Sequence, residues 1–482
     1  MSAALERSPA QRRWDAAIGL VGALFLIVYA YRPIDSPWLA PVLTWPRVLL
    51  VCGLLVIVRH LRHPRPTLLR VLATGIQRRL LPDGTTRVLT IAVASRTAVI
   101  AAGLAATLIQ GAPPHDAPRL TTDPFWNLPA RWDALWYLQI AEHGYRWDPS
   151  ESDQEWNVAF FPAFPVLMRV AGHVVTMPGY WLGDASILGG TAETRLIFGG
   201  WLLSMIAFTW GLANVYVLAR DDLGHVRALW AVLLLAYFPF ALFYSAPYSE
   251  GVFFLALTSA FLAARERRFV SAFAWGALTA LTRQTGVTVA LPLAMLALAW
   301  QPSVHSPGRY SLSWRGWRLD LRMLLAAAGP AAGLGLHLLV LWWQVGDPFA
   351  WIKAQQGWWH SDSVMPFYAE RVNWVRQAGF AGFFEALPGP AIGTFIPVFA
   401  LVLLWPVWRL SPAYAALVLV TLAPAVAIDT PSIGRIAAPL FPLFMALAAI
   451  LPGRIDVWVV AALFGFGQLW AACVFFEWGM LY

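Results

Sequence analysis

Apolar and polar positions alternate along this chain in whole segments. Runs of about twenty apolar residues, bounded by short clusters of arginine, proline and glycine, recur over most of its length. A run of about that length crosses the hydrocarbon core of a bilayer as an α-helix, and a helix satisfies its own backbone there. The pattern predicts thirteen spans, near 15–31, 43–59, 88–110, 195–218, 227–245, 249–264, 269–283, 286–300, 323–343, 391–408, 411–428, 436–451 and 456–476. The expected fold class is therefore all-α and polytopic. The polar stretches between spans reach only about 50 residues, too short to bury a soluble core.

Composition agrees. Of 482 residues, 59% are hydrophobic and 12% charged, with a mean hydropathy of +0.60; a soluble domain carries about twice that charge. The net charge of +8 does not point to nucleic acid, because the basic residues sit in short loops and follow the positive-inside rule. The one lysine is Lys353. Cys52 and Cys473 lie in apolar runs near opposite ends and read as small core residues. No small-residue cleavage site follows the N-terminal basic residues, so the first apolar run is expected to be retained.

Charge sets the orientation. Arg59, Arg62, Arg65, Arg70, Arg78, Arg79 and Arg87 face a single acid, Asp83, and mark a cytoplasmic loop. Residues 1–87 then form two extra spans and that loop, and residues 88–482 form the main transmembrane region. Outer loops are expected at 111–194 and 344–390, carrying interfacial helices. Arg96 is expected to snorkel from the third span. The short apolar stretch 160–178, with Arg169 and His173, is expected to be interfacial or re-entrant. This topology brings Tyr248, Glu250, Arg283, Gln284, Asp429 and Arg435 to the leaflet of both long loops.

That leaflet is where chemistry is expected. Asp133 stands between Trp132 and an amphipathic run in which Trp132, Leu135, Trp136 and Ile140 are expected to face the interface and fix the depth of the carboxylate. Arg131, Arg169, Arg283, Lys353 and Arg435 share that side, and lipid phosphate is the obvious anion for them. Asp347 is expected to cap a helix opened by Pro348, which carries Trp351 and Trp358. No zinc-like His/Cys spacing and no phosphate-binding glycine loop is present.

The run Trp132-Asp133-Ala134-Leu135-Trp136-Tyr137, continuing to Gly144-Tyr145 and Phe160-Phe161-Pro162, resembles the PIG-V mannosyltransferases of the GT-C superfamily. Tyr248-Ser249-Glu250, Leu281-Thr282-Arg283-Gln284, Gly346-Asp347-Pro348 with Lys353, and Gly434-Arg435 follow in similar order. Gln284 stands where bacterial relatives often carry proline. The resemblance implies a GT-C-like inverting transferase that moves a sugar, mannose, from a polyprenyl-phosphate donor to an acceptor hydroxyl on the extracytoplasmic face of the cell membrane. The acceptor would be a glycolipid, a glycan or a protein.

It singles out Asp133 as the catalytic base, because phosphate leaves readily and one carboxylate can suffice. Arg283, Lys353, Arg435 and Arg169 are expected at the donor phosphate. Arg131, Trp132, Tyr137, Glu142, His143, Tyr145, Phe161, Tyr248, Glu250, Gln284, Asp347 and Gln356 are expected around the substrates. No cofactor is expected, although Asp133, Glu142 and Glu155 are compatible with a divalent ion. Two other classes fit the same pattern: a transporter or flippase of lipid-linked sugars, with His337 as its mid-span polar group, and a non-catalytic partner of another transferase.

Overall fold

The computed structural model describes residues 84–110, 120, 123–151, 154–182, 191–297, 311–314, 317–358, 389–427 and 432–479. The two expected spans before residue 60, Asp429 and most of the second outer loop lie outside the described residues. The helices are α1 (Thr85–Gln110), α2 (Pro124–Asn127), α3 (Ala134–His143), α4 (Ala163–Leu182), α5 (Ala192–Leu223), α6 (His225–Ala236), α7 (Ser249–Arg265), α8 (Phe269–Thr282) and α9 (Ala290–Ala297). A two-stranded antiparallel hairpin, β1 (Ser311–Trp314) and β2 (Trp317–Asp320), precedes α10 (Leu321–Val345). Then come α11 (Ala350–Lys353), α12 (Gln355–Trp358), α13 (Gly389–Leu410), α14 (Pro412–Ala427), α15 (Ile433–Ala437), α16 (Phe441–Ile450) and α17 (Arg454–Phe476).

The helical, membrane-embedded class expected from the apolar runs is what these residues form, with the hairpin as a small addition. Among the described residues, Thr85–Ile109, Ala192–Leu223, Leu324–Val345 and Arg454–Phe476 are long and apolar enough to cross a membrane. The expected span 227–245 is instead broken. Pro239 lacks an N–H and stops α6, and a 3₁₀ segment (Pro239–Ser245) leaves at 76°.

Breaking a helix in an apolar surround frees carbonyls that need donors. Arg96 of α1 donates to Ala236 O at 3.0 Å, to Ala241 O and to Ser245 Oγ at 3.0 Å. Gln468 of α17 donates to Ala236 O at 3.0 Å and Phe238 O at 2.9 Å. The expectation that Arg96 snorkels is thus corrected: it is 4% exposed and its fork is spent on the break. The bend sends the chain straight into Tyr248 and Glu250.

Residues 160–178, expected to be interfacial or re-entrant, are helical over most of their length. From Ala163 onward they belong to α4, which packs along α5. At the crossing, a Cβ on Gly199 would collide with the backbone of Gly172. Close backbone approach through small residues is the usual way two helices associate in an apolar medium.

Candidate active site

Four local interruptions of helical structure supply the site. The first precedes α3. Trp132 holds a left-handed backbone, φ 51°, and Asp133 follows it at the helix N-terminus. The Asp133 N–H donates to Tyr248 Oη at 3.1 Å. The second is the turn after the 3₁₀ segment, which starts α7 at Ser249 and buries Glu250 in its first turn, 1% exposed. The third lies between α8 and the next 3₁₀ segment (Gln284–Val289). There Arg283 is extended, and Thr279 Oγ1 ties back to Gly286 O at 3.1 Å. The fourth is α15, where Gly434 lies against the Phe240 ring so closely that no Cβ would fit.

That docking carries Arg435 over the Phe243 and Tyr248 rings, 5.0 and 4.9 Å from their centroids.

The four interruptions meet. Arg435 Nη1 donates to Asp133 Oδ2 at 2.8 Å, and its Nη2 and Nε reach Glu250 Oε1 at 2.7 and 2.8 Å. Arg283 Nη1 pairs with the same Glu250 oxygen and lies 3.4 Å from Ser249 Oγ. Tyr137 donates to Ser249 Oγ at 2.8 Å. Burial, and then the nearby Glu250 carboxylate, push the Tyr137 phenol up, so it stays a neutral donor. Two carboxylates thus face two guanidiniums. Burying such a set is costly unless geometry and hydrogen bonding are good, and here the carboxylate–arginine contacts are direct.

The exposure gradient has a chemical sense. Glu250 lies at the bottom, while the side chains of Arg435, Arg283 and Asp133 are 16%, 17% and 22% exposed. Among the described residues, Asp133 Oδ1 and the Nε and Nη2 of Arg283 make no hydrogen bond. A partly open site with one available carboxylate oxygen and available guanidinium N–H groups can accept a proton and grip an anion.

The remaining expected site residues scatter. Arg131 is corrected: it is 1% exposed and donates to Phe476 O at 2.8 Å and Asn127 O at 2.7 Å, which makes it a structural clamp behind Asp133. Arg169, Glu142 and His143 line a separate 390 Å³ cleft with His173, Glu193 and Arg195. That cleft lies at the far end of α3, about 14 Å from Asp133 at 1.5 Å per residue. Burial, and then Glu193, push the Glu142 carboxyl up. Lys353 pairs with Asp347 at 2.6 Å on an exposed turn, and Asp347 Oδ1 caps Phe349 N at 2.9 Å. The Lys353 hydrogen bond holds the Asp347 carboxyl below its usual range.

Tyr145 Oη donates to Phe160 O at 2.7 Å. Phe161 lies 4.2 Å from the buried His337 ring. Gln284 is exposed beside Arg283, and Gln356 lies in α12. Trp132 and Trp136 do not simply anchor to an interface. Trp132 meets Trp478, Trp136 meets Phe160 and Trp358, and Ile140 is buried.

Two contributors escaped sequence reasoning. Phe243 under Arg435 lies in an apolar run with no local signal. Asn157 staples the first loop by accepting from Arg146 N at 2.8 Å and donating to Gly144 O and Gln139 Oε1, both at 3.1 Å. An asparagine among aromatics was the available hint.

The chain is 32% identical over 131 residues to GPI alpha-1,6-mannosyltransferase 2 of Mus musculus, covering 26% of this chain and 22% of that protein. Among solved structures, the Archaeoglobus fulgidus oligosaccharyltransferase in complex with Zn and sulfate gives a TM-score of 0.39 at 15% identity, over 80% of this chain and 53% of that one. An archaeal oligosaccharyltransferase of Archaeoglobus fulgidus in complex with an inhibitory peptide and a dolichol-phosphate gives 0.38 at 13%, over 80% and 55%. The chain therefore spans about half the length of these solved relatives. The mannosyltransferase (PIG-V) family model matches residues 86–298. The matched region carries Asp133, Glu250 and Arg283.

Proposed function

We propose that the protein is an integral-membrane, GT-C-type inverting mannosyltransferase that uses a polyprenyl-phosphate-linked donor at the extracytoplasmic face of the cell membrane. The observation that carries this reading is the linked set Asp133–Arg435–Glu250–Arg283 at a partly open site. Asp133 takes the proton of the acceptor hydroxyl. The hydroxyl oxygen attacks the anomeric carbon from the face opposite the phosphate and forms the new glycosidic bond. The bond from that carbon to the phosphate oxygen breaks, and its electron pair leaves on the polyprenyl phosphate. Configuration inverts because attack and departure use opposite faces.

The phosphate gains negative charge as it leaves. Prearranged guanidiniums stabilise such charge better in a water-poor site than in bulk water. Arg283 offers its uncommitted N–H groups, and Arg435 shares its charge between Glu250 and Asp133. The reading assigns the balancing charge to guanidiniums and includes no metal or cofactor, so turnover should survive a chelator. The acceptor is a hydroxyl of a glycolipid, glycan or protein.

The test is mannosyl transfer from polyprenyl-phosphate mannose in membranes containing the protein. Asp133→Asn should lower kcat by about 10²- to 10⁴-fold. Near wild-type turnover by that variant would remove Asp133 from the role.

A further inference from the structure

Two tryptophans hold a backbone conformation that favours glycine: Trp132 at φ 51° and Trp478 at φ 63°. They touch, with ring centroids 5.3 Å apart. Trp478 sits one residue beyond the cap of α17. Its N–H reaches Phe475 O at 3.2 Å, and the Gly479 N–H reaches Val474 O at 2.7 Å. This paired stop normally places glycine where Trp478 stands. The stop itself does not need an indole, so the ring is there for what it covers.

What it covers is the approach to Asp133. The Arg131 guanidinium lies 5.3 Å from the Trp478 ring, and Arg131 Nε donates to Phe476 O at 2.8 Å. Both residues immediately before Asp133 are therefore gripped by the end of the last helix, more than 340 residues away in the chain. The opposite side is held by Tyr248 Oη, which accepts from the Asp133 N–H at 3.1 Å and donates to Arg131 O at 3.3 Å. If Trp132 relaxed out of the left-handed region, the Cα–Cβ direction of Asp133 would swing away from Arg435.

We propose that residues 476–478 form a latch that positions Asp133, with Trp478 as its key side chain. The latch rests on the reading of Asp133 as the base. Trp478→Gly is the informative variant, because it keeps the helix stop, relieves the backbone and removes only the ring. It should lower kcat by about 10- to 100-fold, the size of effect that misplacement by about 1 Å produces. The KM for polyprenyl-phosphate mannose should change by less than about twofold, since binding is untouched. The thermal midpoint should stay within about 3 °C. Trp478→Phe, which keeps a ring, should recover most of the loss. A kcat for Trp478→Gly within about twofold of the parent overturns the proposal. So does a kcat loss that merely follows the folded fraction and is not rescued by phenylalanine.

A second arm needs no turnover. In a protein with Cys52→Ser, Cys473→Ser and Asp133→Cys, adding Trp478→Gly should speed labelling by a small methanethiosulfonate by about fivefold or more, as the segment opens locally. An unchanged labelling rate overturns the latch. If Asp133→Asn retains full transfer activity, the base assignment falls on its own, and labelling still decides the latch.

Discussion

Arg435 bridges Asp133 and Glu250, with Nη1 2.8 Å from Asp133 Oδ2 and Nη2 2.7 Å from Glu250 Oε1. The planar guanidinium can serve two carboxylates at once, and a lysine ammonium on a flexible stem cannot hold that geometry. Arg435→Lys should therefore keep the charge and lose the bridge. We expect kcat to fall by about 10²- to 10³-fold, in the range seen when a charge-stabilising donor is removed. The check is steady-state mannosyl transfer beside a thermal melt.

Glu250 accepts from both arginines through one oxygen and is almost wholly buried. Removing Arg283 leaves that carboxylate half-compensated, and removing Glu250 leaves two guanidiniums facing each other. Each single change, Arg283→Met or Glu250→Gln, should destabilise the fold by about 2–4 kcal/mol. The double variant should lose less than the sum, with a coupling of about 1–3 kcal/mol. Denaturant or thermal unfolding in detergent measures the cycle, and strict additivity would contradict the pairing.

The Glu142 carboxyl is pushed up first by burial and then by Glu193. A raised folded value favours the protonated form in the folded state. Its contribution to stability is fully present below the unfolded carboxylate range and is lost as pH rises through the folded value. Glu142→Gln mimics the protonated form. It should melt at the same temperature as the parent near pH 4 and higher than the parent at pH 7. Melting curves between those limits are the check.

Gly172 and Gly199 bring α4 and α5 into backbone contact. A methyl at residue 199 meets backbone that cannot rotate aside, so the helices must separate. Gly199→Ala should cost about 1–3 kcal/mol by overpacking. It should also disturb the cleft holding Arg169 and His173, while Trp478→Gly leaves that cleft unchanged. Thermal unfolding reads the first effect.

Much of the site was legible in the sequence because a polar residue in an apolar run needs a reason to be there. Arg283 stood between two apolar runs, Glu250 opened one, and Asp133 followed an aromatic within the first long polar loop. Positive-inside bias placed all three, with Arg435, on one side of the bilayer, and the structure gathers them into one cluster. The same reasoning grouped Arg131, Lys353 and Arg169 with them, and the described structure places these three outside that cluster. Charge at the right depth shows that an arginine can reach a site, but backbone carbonyls and local acids compete for it.

Periodicity and length thus determined the helical, membrane-spanning class and the segments that carry polar groups, because burying backbone in lipid leaves a helix few alternatives. Three things were decided only in the folded protein. The break at Pro239 closes because Arg96 and Gln468 arrive from distant helices. Arg435 reaches Asp133 because Gly434 admits the Phe240 ring. The backbone before Asp133 is held by Trp478 from the far end of the chain. Each is a contact between segments hundreds of residues apart or on different helices, and its strength depends on shape and hydrogen-bond geometry, which local sequence preferences do not encode.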